Sequence, residues 1–239
     1  MRKPVVRYLL FDFFGTLVRY DREVRATRIS QAAEFARGLG CTSSEAEIAR
    51  ELAAVWRELE RDAKQTLREP HWHTAAARLL ERLGLPCERS AVTGFTDAYH
   101  ADWCEGVEPI PGIREMLLRL GLPAAIVTNT YYPPLVPGQL QRVGLADSFQ
   151  FITTSVEHGF RKPHPTIYQR ALAAARLGPA DALFVGDDAE CDYHGPKAAG
   201  IRAVVVSPVP VASVPEEDRI GHILELEPWL ATTKTCYRS

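Results

Sequence analysis

The sequence predicts an α/β protein, a doubly wound parallel sheet interrupted by an inserted α-helical bundle. Three observations predict it. Short, continuously apolar runs at residues 8–11, 124–128, 182–185 and 203–206 have the length and composition of strands buried on both faces. From residue 109 onward such runs alternate with stretches of helical period, and that alternation makes a parallel sheet with crossover helices. Between about residues 20 and 103 the alternation stops, and sequence rich in Ala, Arg, Glu and Leu takes over at helical spacing. The expected organisation is a core of residues 1–19 and 105–239, with residues 20–104 inserted after the first strand as a helical domain.

The first strand runs straight into Asp12-Phe13-Phe14-Gly15-Thr16. Its Asp12 stands at a C-terminal strand end, where open α/β sheets place their ligands. Burying a lone carboxylate is costly unless a metal, hydrogen bonds or a substrate compensates it. The same residues also suit a plain turn, since Asp and Gly favour turns. Residues 21–37 then have the pattern of a helix stopped by Gly38 or Gly40. Ser44-Glu45-Ala46-Glu47 is a capping box, opening a second helix with the apolar face Ile48, Leu52, Val55 and Leu59. Trp72, Ala76, Leu79, Leu80 and Leu83 give a third helix ending at Gly84, and Val92, Phe95, Tyr99 and Trp103 a fourth. Four amphipathic helices in succession suit a small bundle.

Pro109-Ile110-Pro111-Gly112 is a turn before a short helix at 113–120, and the strand at 124–128 ends in Thr128-Asn129. A proline-rich loop over 131–137 leads to a helix ending near Gly144, followed by a strand at 149–153. Residues 165–177 read as a helix with Pro165 in its first turn. The strand at 182–185 ends in Gly186-Asp187-Asp188, and a short helix around 197–199 stops at Gly200. A strand at 203–206, a proline-rich loop at 209–218 and a helical piece at 222–230 complete the chain.

At 239 residues, 46% hydrophobic and 24% charged, the composition is that of an ordinary globular protein. A net charge of −2 provides neither a nucleic-acid surface nor a polybasic membrane anchor. No apolar run reaches the length of a membrane span, and Met1-Arg2-Lys3-Pro4 leads into a strand rather than a signal peptide. Cys41, Cys87, Cys104, Cys191 and Cys236 are scattered without a CxxC spacing, so neither a zinc site nor a disulfide framework is expected. The expected setting is cytoplasmic and reducing.

Three strands end in residues that one chemistry uses together: Asp12, then Thr128-Asn129, then Asp187-Asp188 with Asp192 close behind. Arg161-Lys162-Pro163 lies between the third strand and its helix. A parallel sheet puts these ends on one edge. Converging carboxylates repel unless a cation is present, and carboxylates with water are typical magnesium ligands. A lysine and a hydroxyl beside them suit a phosphate.

In these residues the chain resembles the haloacid dehalogenase-like (HAD) hydrolase superfamily. Asp12-Phe13-Phe14-Gly15-Thr16 is similar to its first motif, Thr128-Asn129 to its second, and Lys162-Pro163 to its third. Gly186-Asp187-Asp188-Ala189-Glu190-Cys191-Asp192 is similar to its fourth, and the helical insert to its first type of cap. The resemblance implies a Rossmann-like HAD core and Mg2+ as cofactor, with a small phosphorylated metabolite as substrate. It makes Asp12 a nucleophile that forms an aspartyl-phosphate. Metal ligation falls to Asp12, the Phe14 carbonyl and Asp187, with Asp188 or Asp192 nearby. Thr128 and the Asn129 amide donate to the phosphoryl oxygens, and Lys162 balances their charge. Asp188 and Asp192 are equally suited to cap the next helix.

One position departs from the pattern. Family phosphatases carry a second aspartate two residues after the nucleophile, where this chain has Phe14. A phenyl ring cannot protonate a leaving alkoxide, a loss of about 10²–10⁴-fold in rate. A phosphatase is expected, with His71, His73 and His100 as replacement acids by residue type. The alternatives are a metal-independent 2-haloacid dehalogenase, in which Asp12 displaces halide and Trp56-Arg57 faintly resembles the halide pocket, and a catalytically weak binding protein. A phosphonoacetaldehyde hydrolase with Lys64 as its Schiff base fits poorly with so bulky a residue as Phe14. His71-Trp72-His73 lacks the i, i+4 spacing of paired helix ligands, the arginines over 57–68 read as a solvated helix face, and Tyr131 and Tyr132 are placed to border the site.

Overall fold

A computed structural model describes residues 6–20, 28–104 and 106–235. Six strands form one parallel sheet: β1 (Tyr8–Phe11), β4 (Ala124–Thr128), β5 (Ile152–Thr154), β6 (Ala182–Gly186), β7 (Arg202–Val206) and β8 (Arg219–Ile220). Their spatial order is β5-β4-β1-β6-β7-β8. β1 is central, pairing Leu9 with Ala124 on one side and with Leu183 on the other. The chain therefore winds outward in both directions from β1, and the order reverses beside it. Ligands of open α/β sheets bind at such a switch point.

Side-chain alternation divides the core into two layers. Leu9, Phe11, Ile126, Leu183 and Val185 pack beneath α5 (Ile113–Leu120), α6 (Leu135–Arg142) and α10 (Leu226–Thr235). Tyr8, Leu10, Val127, Phe184 and Val205 pack on the opposite face against α8 (Pro165–Ala175). Every residue of β1, β4 and β6 is buried, which explains their unbroken apolar runs.

The insert folds as α1 (Ser30–Gly38), α2 (Glu45–Thr66), α3 (Trp72–Arg82) and α4 (Arg89–Cys104) around its own apolar cluster. The capping box at Ser44 and Glu47 is formed in both directions. The chain leaves and re-enters the core through a two-stranded antiparallel ribbon, β2 (Val18–Tyr20) with β3 (Val107–Pro109). Sequence reading placed no strand there.

Two expectations are corrected, and one falls partly outside the described residues. Arg28 and Ile29 precede the first insert helix, which starts at Ser30; the expected start at residue 21 lies outside the described residues. Asp102 fixes that start, since its carboxylate accepts from the Ser30 hydroxyl and from the Gln31 and Ala32 amides. The strand expected at 149–153 lies at Ile152–Thr154, and the next residues turn at once into α7 (Ser155–His158), capped by Thr154. Finally, the short strand β8 follows the loop expected at 209–218, and the last helical stretch reaches Thr235 where an end at 230 was expected. Among the described residues no helix is long and apolar enough to cross a membrane.

Candidate active site

Asp12 stands one residue beyond β1, and its amide continues the sheet by donating to the Val185 carbonyl at 2.9 Å. The turn that follows is tight. Gly15 donates to the Val18 carbonyl and has φ +83°, a conformation open to glycine. A Cβ there would lie 2.3 Å from Asp187 Oδ2, so the turn can press against the β6 carboxylate only because residue 15 has no side chain.

Thr128, at the end of β4, is buried and lines the cavity above the sheet edge. Asn129 follows, with both polar atoms of its side chain used on the backbone of Lys162. Its Oδ1 accepts from the Lys162 amide at 2.8 Å and its Nδ2 donates to the Lys162 carbonyl at 3.1 Å. This cross-strand clamp orients the lysine. Lys162 Nζ then lies 2.7 Å from Asp12 Oδ1 and 2.7 Å from Asp192 Oδ1. Burial works against the lysine charge, yet Asp12 and Asp192 outweigh it and hold the pKa above that of an ordinary lysine. The group is a buried cation between two carboxylates.

Asp187 and Asp188 follow β6. Oxygens of Asp12, Asp187 and Asp192 all lie within 4.8 Å of one another. Asp188 is not in this cluster; its Oδ1 accepts from the Glu190 and Cys191 amides at 3.0 and 2.8 Å and caps a turn of π-helix over Ala189–His194. That turn brings Asp192 inward beneath Gly186, and its Oδ2 accepts from the Asp188 amide. Among the described residues one lysine therefore faces three carboxylates. Burial, and then the charge of Asp12, push the Asp187 carboxyl up to about 6. Burial likewise raises Asp192, against the pull of Lys162. An all-oxygen cluster with excess negative charge fits a hard divalent cation.

Phe14 is half-buried in a box of rings. Its centroid lies 4.8 Å from Phe13, 5.5 Å from Tyr20 and 5.0 Å from Trp103, each edge-on. Above the cluster is a cavity of about 720 Å³ between core and insert. His100, Trp56, Arg57 and Lys64 line it from the insert, and Tyr131 and Arg161 from the core. His100 donates through Nδ1 to the Thr96 carbonyl, which leaves Nε2 without a proton in the neutral ring. Burial pushes its pKa down to about 4, so it stays neutral at physiological pH. Among the other histidines, His71 caps α3 by accepting from the His73 amide, and His73 is half-buried beside it.

Sequence reading named Arg161 beside Lys162 but gave it no role of its own. Its guanidinium joins the core to the insert, donating to both oxygens of Glu60 at 3.0 Å and to Glu69 Oε1 at 2.5 Å. The partners are 101 and 92 residues away, and no local pattern marks such a pairing. Arg57, expected on a solvated helix face, is exposed and also lines the cavity, as does Lys64.

A parallel sheet carrying carboxylates, a lysine and a threonine at its C-terminal edge, beneath helices inserted after the first strand, defines an α/β protein whose chemistry sits at a switch point. The chain belongs to the haloacid dehalogenase-like hydrolases, whose family model matches residues 6–200. It is 31% identical to ribulose-1,5-bisphosphate 5-phosphatase of Halopiger xanaduensis over 84% of both chains. It is 37% identical to human haloacid dehalogenase-like hydrolase domain-containing protein 3, spanning about half of each chain (49% of this one, 48% of the relative). Its fold matches a 2-haloacid dehalogenase from Pseudomonas syringae pv. Tomato with a TM-score of 0.69 at 23% identity, covering 95% of this chain and 99% of the other. A HAD phosphatase from Thermococcus onnurineus matches at 0.67 and 22%, covering 94% and 98%. The fold is thus shared about equally with a dehalogenase and a phosphatase.

Proposed function

We propose that this hydrolase is a magnesium-dependent phosphatase acting on a small phosphorylated metabolite, with residues 20–104 as the cap over a core of 1–19 and 105–239. The observation that carries the reading is the cluster of Asp12, Asp187 and Asp192 within 4.8 Å around a single buried lysine. Displacement of halide from a neutral carbon needs no such cluster. Relatives named as phosphatases support the reading, among them the Halopiger enzyme and glyceraldehyde 3-phosphate phosphatase of Pyrococcus furiosus, 34% identical over 53% of each chain. The free thiols Cys41, Cys87, Cys104 and Cys191 accord with a cytoplasmic setting.

In this reading Asp12 attacks phosphorus. Its Oδ1 is held by Lys162, which leaves the second oxygen for in-line attack, and the phosphorus–oxygen bond to the leaving group breaks as the aspartyl-phosphate forms. Thr128 and the Asn129 amide donate to the phosphoryl oxygens, while Lys162 offsets the negative charge of nucleophile and phosphoryl group. Asp12, the Phe14 carbonyl and Asp187, with Asp192 beside them, would hold magnesium, which when bound neutralises charge on the transferring group. Water then cleaves the aspartyl-phosphate and returns Asp12 to its free form. Phe14 supplies no proton to the leaving group, so good leaving groups react fastest.

The same Phe14 favours 2-haloacid dehalogenase as second reading, because halide departs without protonation. One pair of assays separates them. Phosphate release from 4-nitrophenyl phosphate is expected with magnesium, lost with EDTA and reduced at least about 10³-fold in Asp12→Asn. Chloride release from 2-chloropropionate without metal, in the absence of any phosphate release, would overturn the phosphatase and establish the dehalogenase.

A further inference from the structure

Helix α2 presents two faces to the molecule. Ile48, Leu52, Val55, Leu59 and Ala63 are buried in the insert. A second stripe, Ala49, Ala53, Trp56, Arg57, Glu60 and Lys64, lines the cavity over Asp12. Along this stripe the chemistry changes. The small side chains of Ala49 and Ala53 leave room at one end, Trp56 gives an aromatic wall, and cations occupy the other end. Glu60, the stripe's carboxylate, is already engaged, with both oxygens on Arg161 and one on the Tyr131 hydroxyl. Lys64 is close enough to help hold Glu60 ionised. Arg57 is different: it is exposed at the cavity, and among the described residues no carboxylate pairs with it.

A cation that faces the cavity and has no carboxylate partner among the described residues is poised for an anion. The anion-binding groups at the sheet edge, Lys162 and Thr128, belong to the reacting phosphoryl group and line the cavity from the core, whereas Arg57 lines it from the insert. Arg57 is therefore placed to meet a second negative charge. Its planar fork suits a carboxylate or phosphate through paired hydrogen bonds, and Lys64 two turns along adds to the local positive potential.

We propose that the cavity selects phosphate esters whose leaving group carries a second anion, a carboxylate or a further phosphate, and that Arg57 reads it. The proposal rests on the phosphatase reading of Asp12. It concerns a specificity residue on the cap side, and the nucleophile is untouched.

The test compares phenyl phosphate, 4-carboxyphenyl phosphate and 1,4-phenylene bisphosphate as substrates of the magnesium-loaded protein. Either doubly anionic ester is expected to exceed phenyl phosphate by about tenfold in kcat/KM, mainly through KM. The preferred one tells carboxylate from phosphate. In Arg57→Ala that ratio falls towards one, and Arg57→Lys restores part of it. A ratio near one in the wild type, or one that Arg57→Ala leaves intact, overturns the proposal while phenyl phosphate turnover keeps the phosphatase standing. Binding is read separately by calorimetry with benzylphosphonate, 4-carboxybenzylphosphonate and 1,4-xylylene bisphosphonate. If no ester is hydrolysed but a doubly charged phosphonate still binds about tenfold tighter in an Arg57-dependent way, the phosphatase reading fails and the anion site stands. Absence of both turnover and selective binding overturns both.

Discussion

Phe14 stands where the carbonyl is useful and the side chain, by the family resemblance, is not. Its ring contacts Phe13 in the same loop, Tyr20 on the outgoing strand of the ribbon and Trp103 near the end of α4. The loop after Asp12 is thereby packed against both crossings between core and insert. Replacing the ring by Phe14→Asp removes these contacts and puts a carboxyl among aromatic rings, a loss of about 2–4 kcal/mol in urea unfolding. In activity the same variant is expected to reduce the advantage of aryl over alkyl phosphates, because an acid then protonates poor leaving groups. A variant as stable as the wild type would show that the ring box contributes nothing. His100 gives a second expectation at this scale. Its pKa is near 4 in the folded protein because of burial, against about 6.5 unfolded. Between those values the unfolded chain binds more protons, so stability is full above pH 6.5 and falls as pH drops towards 4. The loss is on the order of 3 kcal/mol, and His100→Phe should flatten that limb of the stability-versus-pH curve. An unchanged limb in the variant would assign the acid sensitivity to other groups.

Helix α1 is started by a residue 70 positions away. Asp102 on α4 takes the Gln31 amide at 2.9 Å, the Ala32 amide at 3.2 Å and the Ser30 hydroxyl at 3.0 Å, the work of an N-cap performed from outside the helix. Asp102→Ala should cost about 1–2 kcal/mol and expose the α1 amides to hydrogen exchange, with α2 protected as before; equal losses in both helices would mean the bundle unfolds as one piece. This cap also shows what the sequence can and cannot tell. Ser44 and Glu47 are three residues apart and signal a helix start by themselves, and the apolar spacing from Ile48 to Leu59 places the buried face of α2. Asp102 signals nothing locally, so pattern alone cannot place the α1 start that it fixes at Ser30. The ribbon of β2 and β3 is three residues per strand, too short for alternation to register, and it forms only because the insert brings its ends together. The site behaves the same way. Asp12, Thr128 and Asp187 are legible because each follows an apolar run, and parallel topology carries those ends to one edge. The two hydrogen bonds between the Asn129 side chain and the Lys162 backbone cross 33 residues and have no sequence mark.

Across the whole molecule, insert and core meet along a seam beside the cavity. Arg68 bridges Phe160 in antiparallel fashion, the Arg161 amide donates to Leu67, Glu69 donates to Gly159, and the Trp72 amide donates to Tyr131. At the centre Arg161 serves two carboxylates. Burial opposes its charge, but the hydrogen bonds to Glu60 and Glu69 outweigh that and raise its pKa. Glu69 has a fully buried side chain and a pKa raised by burial, so the arginine is what keeps an ionised Glu69 tolerable there. Removing it by Arg161→Met should destabilise the protein by about 3 kcal/mol at pH 8. The sign with pH follows from the carboxyl left behind. With its folded pKa above the unfolded one, Glu69 opposes folding as pH rises through the unfolded value, so the deficit of the variant shrinks as pH falls from 8 towards 5. The double variant Arg161→Met, Glu69→Gln should recover most of the loss, because the fully buried carboxylate is then neutral, while Glu60 is partly exposed and keeps Lys64 nearby. Hydrogen exchange gives the structural reading: in the single variant the amides of Leu67–Trp72 and of residues 159–161 lose protection, while β1 and β6 keep theirs. A variant with wild-type stability at pH 8 and an intact seam would show that the backbone bridges alone hold the insert over the site.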